Sequence, residues 1–144
     1  MAADTTTPHA RPPMPRPTAV NRPFFEGCNA GVLRIQRCAA PACRRPVFYP
    51  RVCCPHCGHG ALGWIECSGR GRVISYTVVH RPGHDAFLAD APYVFAAVWL
   101  EEGPMLYARV EIAPDAAVGL VGRAVRAVFR EYTAGQKLPA FVPA

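Results

Sequence analysis

At 144 residues, with a formal charge of +6 and 51% hydrophobic residues, the chain has the size of one average domain, or of two small modules sharing a core. Its longest apolar run, Tyr93 to Leu100, is far shorter than the ~20 residues a membrane helix needs, and the N-terminus has no apolar segment of the signal-peptide kind. The expectation is a soluble, cytoplasmic protein without a membrane role.

Residues 1–22 contain Pro8, Pro12, Pro13, Pro15 and Pro17 and little to bury, which predicts a disordered or polyproline-like tail. The next stretch, Pro23 to Gly31, reads as a short helix. Pro23 suits the first turn, Phe24 and Phe25 form an apolar anchor, and Gly31 provides a stop. Val32 to Arg37 alternates as a strand does and leads into Cys38; Val47-Phe48-Tyr49 reads as a second strand, ended by Pro50.

Between and after these strands lie two cysteine pairs. Cys54-Pro55-His56-Cys57-Gly58 is a C-x-x-C knuckle: the tight turn puts both thiolates on one side of the backbone, and Gly58 supplies the freedom the turn needs. Cys38 and Cys43 form a second knuckle with the looser C-x₄-C spacing. Four thiolates close a tetrahedron and leave no open coordination position, so the expectation is a structural Zn2+ held by Cys38, Cys43, Cys54 and Cys57 in a zinc ribbon. Cys53 could replace Cys54, and His56 or His59 could replace a sulfur. Disulfides fit less well, because the seven cysteines are an odd number and no secretory signal precedes them. Cys28 and Cys67 lie outside the knuckles and read as buried, reduced thiols. Arg34, Arg37, Arg44, Arg45 and Arg51 crowd the knuckles, either offsetting the negative charge of a tetrathiolate or meeting an anionic partner.

Leu62 to Glu66 reads as the strand leaving the ribbon, and from Gly69 the texture becomes beta structure with turns. Arg72 to His80, Tyr93 to Leu100, Met105 to Ile112, Ala124 to Arg130 and Pro139 to Val142 are five predicted strands, with a loop or helical turn at Ala116 to Leu120. In the third of them Leu106, Ala108, Val110 and Ile112 face one way and Tyr107, Arg109 and Glu111 the other; in the fourth Val125, Ala127 and Phe129 face inward. The pattern suits a closed barrel of the OB type, with a β-sandwich as runner-up. The fold class is therefore mostly β: an N-terminal helix and ribbon over residues 23–66 and a five-stranded OB-fold barrel over 67–144.

In order along the chain, Pro23-Phe24-Phe25-Glu26-Gly27, Leu33 to Cys38, Tyr49-Pro50-Arg51, Cys54 to Gly58, Gly69-Arg70-Gly71, Ser75 to His80, Ala91 to Val94 and Glu102-Gly103-Pro104 resemble the DUF35 family over most of residues 23–144. The first knuckle departs from the family's usual C-x-x-C. The resemblance implies a rubredoxin-like ribbon followed by an OB-fold. It also implies an accessory subunit, not a lone enzyme, that docks on a thiolase-like partner (thiolase, aldolase or acyltransferase) or a hydratase and helps bind or channel acyl-CoA. For that role Arg70, Arg72 and Arg81 are candidate contacts to the phosphates, since arginine suits bidentate phosphate binding, and Phe87 and Leu88 are a candidate anchor for a partner.

Single-stranded nucleic acid is the rival reading, and it requires exposed aromatic platforms along a basic groove. Tyr76, Tyr93, Trp99 and Tyr107 are the aromatic candidates. Tyr93 and Trp99, however, belong to a strand so apolar that core packing accounts for them, and the arginines between Arg123 and Arg130 read as a solvated strand face. Tyr107 with Arg109 is the best exposed pair. His80, His84 and Asp85 form the one close His/Asp group, with no nucleophile placed near them by sequence, so no catalytic set is expected.

Overall fold

The structure, a computed structural model, describes residues 10–144; the expectation of a tail over the first nine residues lies outside them. A turn at Thr18 to Asn21 sets the entry to the helix. The Thr18 N–H donates to Asn21 Oδ1 at 2.6 Å, and the Arg22 N–H donates to the Thr18 carbonyl at 2.9 Å. The helix α1, Arg22–Ala30, carries its proline in the first turn and ends at Gly31 in the left-handed conformation, φ 78°. A glycine there avoids the Cβ penalty of that conformation.

The ribbon is a three-stranded antiparallel sheet of β1 (Arg34–Cys38), β2 (Pro46–Val47) and β3 (Leu62–Glu66), in the order β2-β1-β3. The second strand is shorter than the sequence suggests: Phe48 and Tyr49 have left it, and Tyr49 is exposed. Gln36, buried in β1, explains where the chain goes instead. Its Nε2–H donates to the Arg51 carbonyl at 3.0 Å and its Oε1 accepts the Arg51 N–H at 2.7 Å, fixing the Phe48 to Arg51 turn against the sheet. Both polar ends of a buried amide are thereby satisfied.

Five further strands close a barrel in the order β4-β5-β6-β8-β7, where β4 is Arg70–Val79, β5 Tyr93–Leu100, β6 Met105–Val110, β7 Ala124–Thr133 and β8 Gln136–Pro143. All pairings are antiparallel except β6 with β8, which meet in parallel at Val110 and Phe141. The core comes from alternate positions: Val94, Ala96, Val98 and Leu100 of β5, Leu106, Ala108 and Val110 of β6, and Val125 of β7, around a fully buried Phe141. A bulge between Val73 and Ser75 switches the inward parity of β4. Val73 is buried before it, Tyr76 and Val78 pack on the core after it, and Ile74 is left outside. Such bulges bend a strand around a small barrel.

The inward facing of β6 and the packing of Ala127 and Phe129 on the core agree with the sequence pattern. Core packing of Trp99 does not hold, because it is 52% exposed, with Phe95 also on the surface. The strand is apolar on both faces, so composition hid its alternation. Short 3₁₀ turns at Asp85–Asp90 and Pro114–Ala117 occupy the two longer loops. No helix among the described residues is long and apolar enough to cross a membrane.

Gly71 marks the tightest point of the barrel wall. A Cβ built there would lie 2.6 Å from the Trp99 carbonyl oxygen and 2.7 Å from a Val98 methyl. A β5 backbone that cannot withdraw makes Gly71→Ala an overpacking change, expected to cost about 1–3 kcal/mol in urea-unfolding midpoints, with the circular dichroism of the folded state unchanged.

Candidate metal centre and aromatic groove

Each cysteine pair is presented by the same kind of turn. In the second knuckle the Gly58 N–H donates to the Cys54 carbonyl at 2.8 Å and Gly58 takes φ 75°. In the first, the Arg44 N–H donates to the Ala40 carbonyl at 3.1 Å and Arg44 takes φ 53°, a left-handed conformation that costs a non-glycine residue of order 1–2 kcal/mol. The turn is therefore conserved in form between the two halves. Ala40 stands where Cys54 stands in the other, and the ligand has moved back two positions to Cys38, at the end of β1. The C-x₄-C spacing is a knuckle with its first sulfur carried by a strand.

The four sulfurs of Cys38, Cys43, Cys54 and Cys57 lie within 4.8 Å of one another. Cys38 to Cys57 is 3.6 Å and Cys43 to Cys54 is 3.8 Å. Thiolates ~2.3 Å from a tetrahedral zinc ion lie about 3.8 Å apart, so the donor set fits that ion. Cys54 is the buried member of the Cys53–Cys54 pair and Cys53 is exposed; Cys53, His56 and His59 stand outside the cluster. Burial raises the Cys54 thiol, but the backbone N–H groups of His56 and Cys57 and the neighbouring sulfurs outweigh it and bring it down to about 7.

A second feature lies on the barrel. Up to the Val110–Phe141 bridge, β6 and β8 contribute Leu106, Ala108, Leu138 and Ala140 to an open groove of about 920 Å³. Helix α1 adds Phe24 and Phe25, and the Gln36-pinned turn adds Phe48, Tyr49 and Pro50. Phe24 stands 5.5 Å from Phe48, ring centre to ring centre, so helix and ribbon share one aromatic cluster. Asn29 ties the helix to β8, accepting the Lys137 N–H at 2.8 Å and donating to the Gly135 carbonyl at 3.2 Å.

Two ion pairs border the groove. Arg109 donates to Asp90 at 2.9 Å and lies 3.9 Å over the ring of Tyr93, a cation–π contact. Arg130 grips Glu111 through two hydrogen bonds of 2.6 and 2.7 Å, and this fork holds the Glu111 carboxyl below its ordinary range. The groove is thus aromatic and apolar, with cations already partnered. On the outer face of the barrel it continues into Phe95 and Tyr107, stacked at 6.5 Å, and then into Trp99 and Met105, which are paired across β5 and β6 and exposed.

The arginines proposed for phosphates are not gathered. Arg70 and Arg72 sit at the start of β4, Arg70 paired with Glu101 at 3.0 Å and Arg72 donating to the Gly122 carbonyl at 3.0 Å. Arg81 follows the far end of that strand, at most roughly 30 Å of extended chain from Arg72 and roughly 36 Å from Arg70 at about 3.3 Å per residue. Of the expected anchor, Leu88 is exposed, whereas Phe87 is half-buried and lines the groove. His84 has a structural role, its Nδ1 accepting the Ala86 N–H at 3.1 Å to start the Asp85–Asp90 turn. Sequence reasoning picked out Tyr107 and Arg109 as an exposed pair, with Glu111 on the same face and Tyr93 among the aromatic candidates, but missed Asp90 and Arg130, the partners of Arg109 and Glu111 that only the tertiary fold brings up.

A helix, a cysteine-bearing three-stranded ribbon and a closed five-stranded barrel together define a ribbon-plus-OB-fold protein. Residues 64–130 match the family model of the ChsH2 C-terminal OB-fold domain. A chain of the solved structure described as "Ltp2-ChsH2(DUF35) aldolase" is 39% identical, with a TM-score of 0.78 over 90% of this chain and 98% of that one. The chain belongs to the DUF35 family. A DUF35 domain-containing scaffold protein of Methanothermobacter thermautotrophicus is 42% identical over 59% of this chain and 64% of its own length. A probable enoyl-CoA hydratase alpha subunit of Thermomonospora curvata is 47% identical over 70% of this chain. This chain spans only 31% of that hydratase subunit and under two-thirds of the scaffold protein.

The Arg130–Glu111 fork gives a pH test. A carboxyl whose folded pKa is depressed contributes stability above its unfolded value, near ~4.3, and loses it as pH falls through the lower folded value. Glu111→Gln should therefore cost no more than about 1 kcal/mol at pH 7, as for a solvent-screened pair. The gap to the parent should close in urea titrations repeated in acid below that range.

Proposed function

We propose that this chain is a non-catalytic accessory subunit that docks on a thiolase-like partner (thiolase, aldolase or acyltransferase) or a hydratase and helps bind or channel acyl-CoA. Its metal is a structural zinc ion held by Cys38, Cys43, Cys54 and Cys57. The observation that carries the reading is the continuous apolar surface running from the aromatic groove to Trp99 and Met105. Monomeric surfaces rarely expose such a patch unless something covers it. The relatives named as scaffold proteins and hydratase subunits, and the aldolase named in the description of the 39% identical solved chain, support this class of partner.

The absence of chemistry of its own is argued from the groups present. A tetrathiolate leaves zinc no position at which to activate water. Of the thiols outside the cluster, Cys28 and Cys67 are poor nucleophiles: burial pushes Cys28 up to about 12, and burial together with Glu102 does the same to Cys67. The apolar groove suits the acyl portion of a thioester, its volume lying at the upper end of small-molecule sites, about 300–1,000 Å³. Arg70 with Arg72, or Arg81 alone, remain candidate phosphate contacts from one end of β4 or the other.

The single-strand reading draws on the exposed stack of Phe95 and Tyr107. Against it, the two arginines bordering the groove are neutralised by Asp90 and Glu111, whereas binding to nucleic acid rests on cations free to displace counterions.

Metal analysis of the purified chain is expected to give one zinc per chain, retained in Cys53→Ser and lost in Cys54→Ser; a folded, metal-free parent would refute the assignment. Co-purification with a thiolase-like or hydratase partner should survive moderate salt. Trp99→Asp with Met105→Asp should weaken it by about 2 kcal/mol or more, the scale of an interface hot spot, while leaving the isolated chain folded. Tight single-stranded DNA binding that falls steeply with salt and vanishes in Tyr107→Ala would replace this reading with the nucleic-acid one.

A further inference from the structure

Four of the residues from Arg11 to Pro17 are proline: Pro12, Pro13, Pro15 and Pro17. Each fixes its own φ near −65° and pushes the residue before it into extended geometry, so the whole stretch is biased toward the polyproline II helix, which has three residues per turn. On such a helix, residues three apart share a face. Among residues 10–17 the two that are partly buried are Pro12 and Pro15, and all the others are exposed. The same two prolines line the aromatic groove, together with Phe25, Tyr49, Phe95 and Tyr107. The sequence period, the burial period and the place of contact thus coincide.

We propose that residues 10–17 form a polyproline strap, docked through Pro12 and Pro15, that closes one side of the aromatic groove. An aromatic-lined groove is the surface chemistry that receives polyproline segments, because the stiff helix loses little entropy on docking and its rings lie flat against aromatic faces. The strap is joined to α1 through the hydrogen-bonded Thr18 to Asn21 turn. A tether that short confers an effective concentration in the millimolar range, so a weak intrinsic contact is enough to hold the strap down. The space beneath it stays open, which makes the strap a movable wall, one that a ligand passes on entry and that slows its departure. Only this last consequence rests on the acyl reading of the groove.

The test uses the full chain loaded with zinc. Pro12→Glu combined with Pro15→Glu should undock the strap. Pro13→Glu combined with Pro17→Glu adds the same charge on the solvent face and should not. In amide NMR spectra, Tyr49, Tyr107, Ala108 and Arg109 are expected to shift in the first variant and hold their parent positions in the second. A synthetic peptide of residues 10–18, added at millimolar concentration, should restore the parent positions in the first variant. Groove amides that stay put in the first variant, or move equally in both, would overturn the proposal. With octanoyl-CoA as probe, dissociation from the first variant should be about threefold faster or more, the effect appearing in the off-rate. Failure of octanoyl-CoA to bind either chain would count against the acyl reading of the groove, while the strap would still be judged by the amide shifts.

Discussion

Closing a five-stranded barrel through a single parallel bridge, Val110 to Phe141, is the constraint on which the rest of the molecule depends. A long antiparallel seam would bring β6 and β8 together along their length and cover their side chains. One bridge closes the barrel yet leaves apolar residues of both strands facing a groove. Something must flank that opening, and the sequence supplies three pieces from outside the barrel: the proline segment through Pro12 and Pro15, the aromatic end of α1 and the Phe48 to Arg51 turn. The turn is held by Gln36, whose amide makes both of its hydrogen bonds to Arg51. A ribbon residue thus shapes a barrel site, beside the aromatic cluster that helix and ribbon share.

The strands were legible wherever apolar and polar residues alternate. The inward set of β6 was readable from Leu106, Ala108 and Val110, while Leu62 to Glu66 and Tyr93 to Leu100, β3 and β5 with the expected bounds, were readable as strands from their β-branched and aromatic content and not from alternation. Alternation fails as a guide where both faces are apolar. In β5 nothing in the composition distinguishes Val98, fully buried, from Trp99, half in solvent; only pairing with β4 and β6 decides. The second ribbon strand was overestimated for a related reason, since Phe48 and Tyr49 are good strand formers drawn out of the sheet by a tertiary contact.

The gathering of the four cysteines was legible because knuckle geometry is local: turn, cysteine spacing and a left-handed residue lie within a few positions. The groove was not, since its parts come from distant segments and meet only through barrel closure. Arg70, Arg72 and Arg81 are near in sequence, yet an extended strand carries the last away from the others. Arg109 and Arg130 border the groove, with their charge spent on Asp90 and Glu111.

Carrying one sulfur on a strand, where the other knuckle carries it in the turn, has a mechanical consequence. Because side chains of a strand point to alternate faces, sliding β1 by a single residue against β2 and β3 would swing Cys38 to the opposite side of the sheet and pull it out of the cluster. A metal gripping these four sulfurs is thus a pawl on the register of β1. The same strand holds Gln36 two residues earlier, on the turn beside the groove, so a slip that freed the metal would also release the aromatic wall. An ion bound there would couple to the shape of a surface on the neighbouring barrel through a five-residue strand.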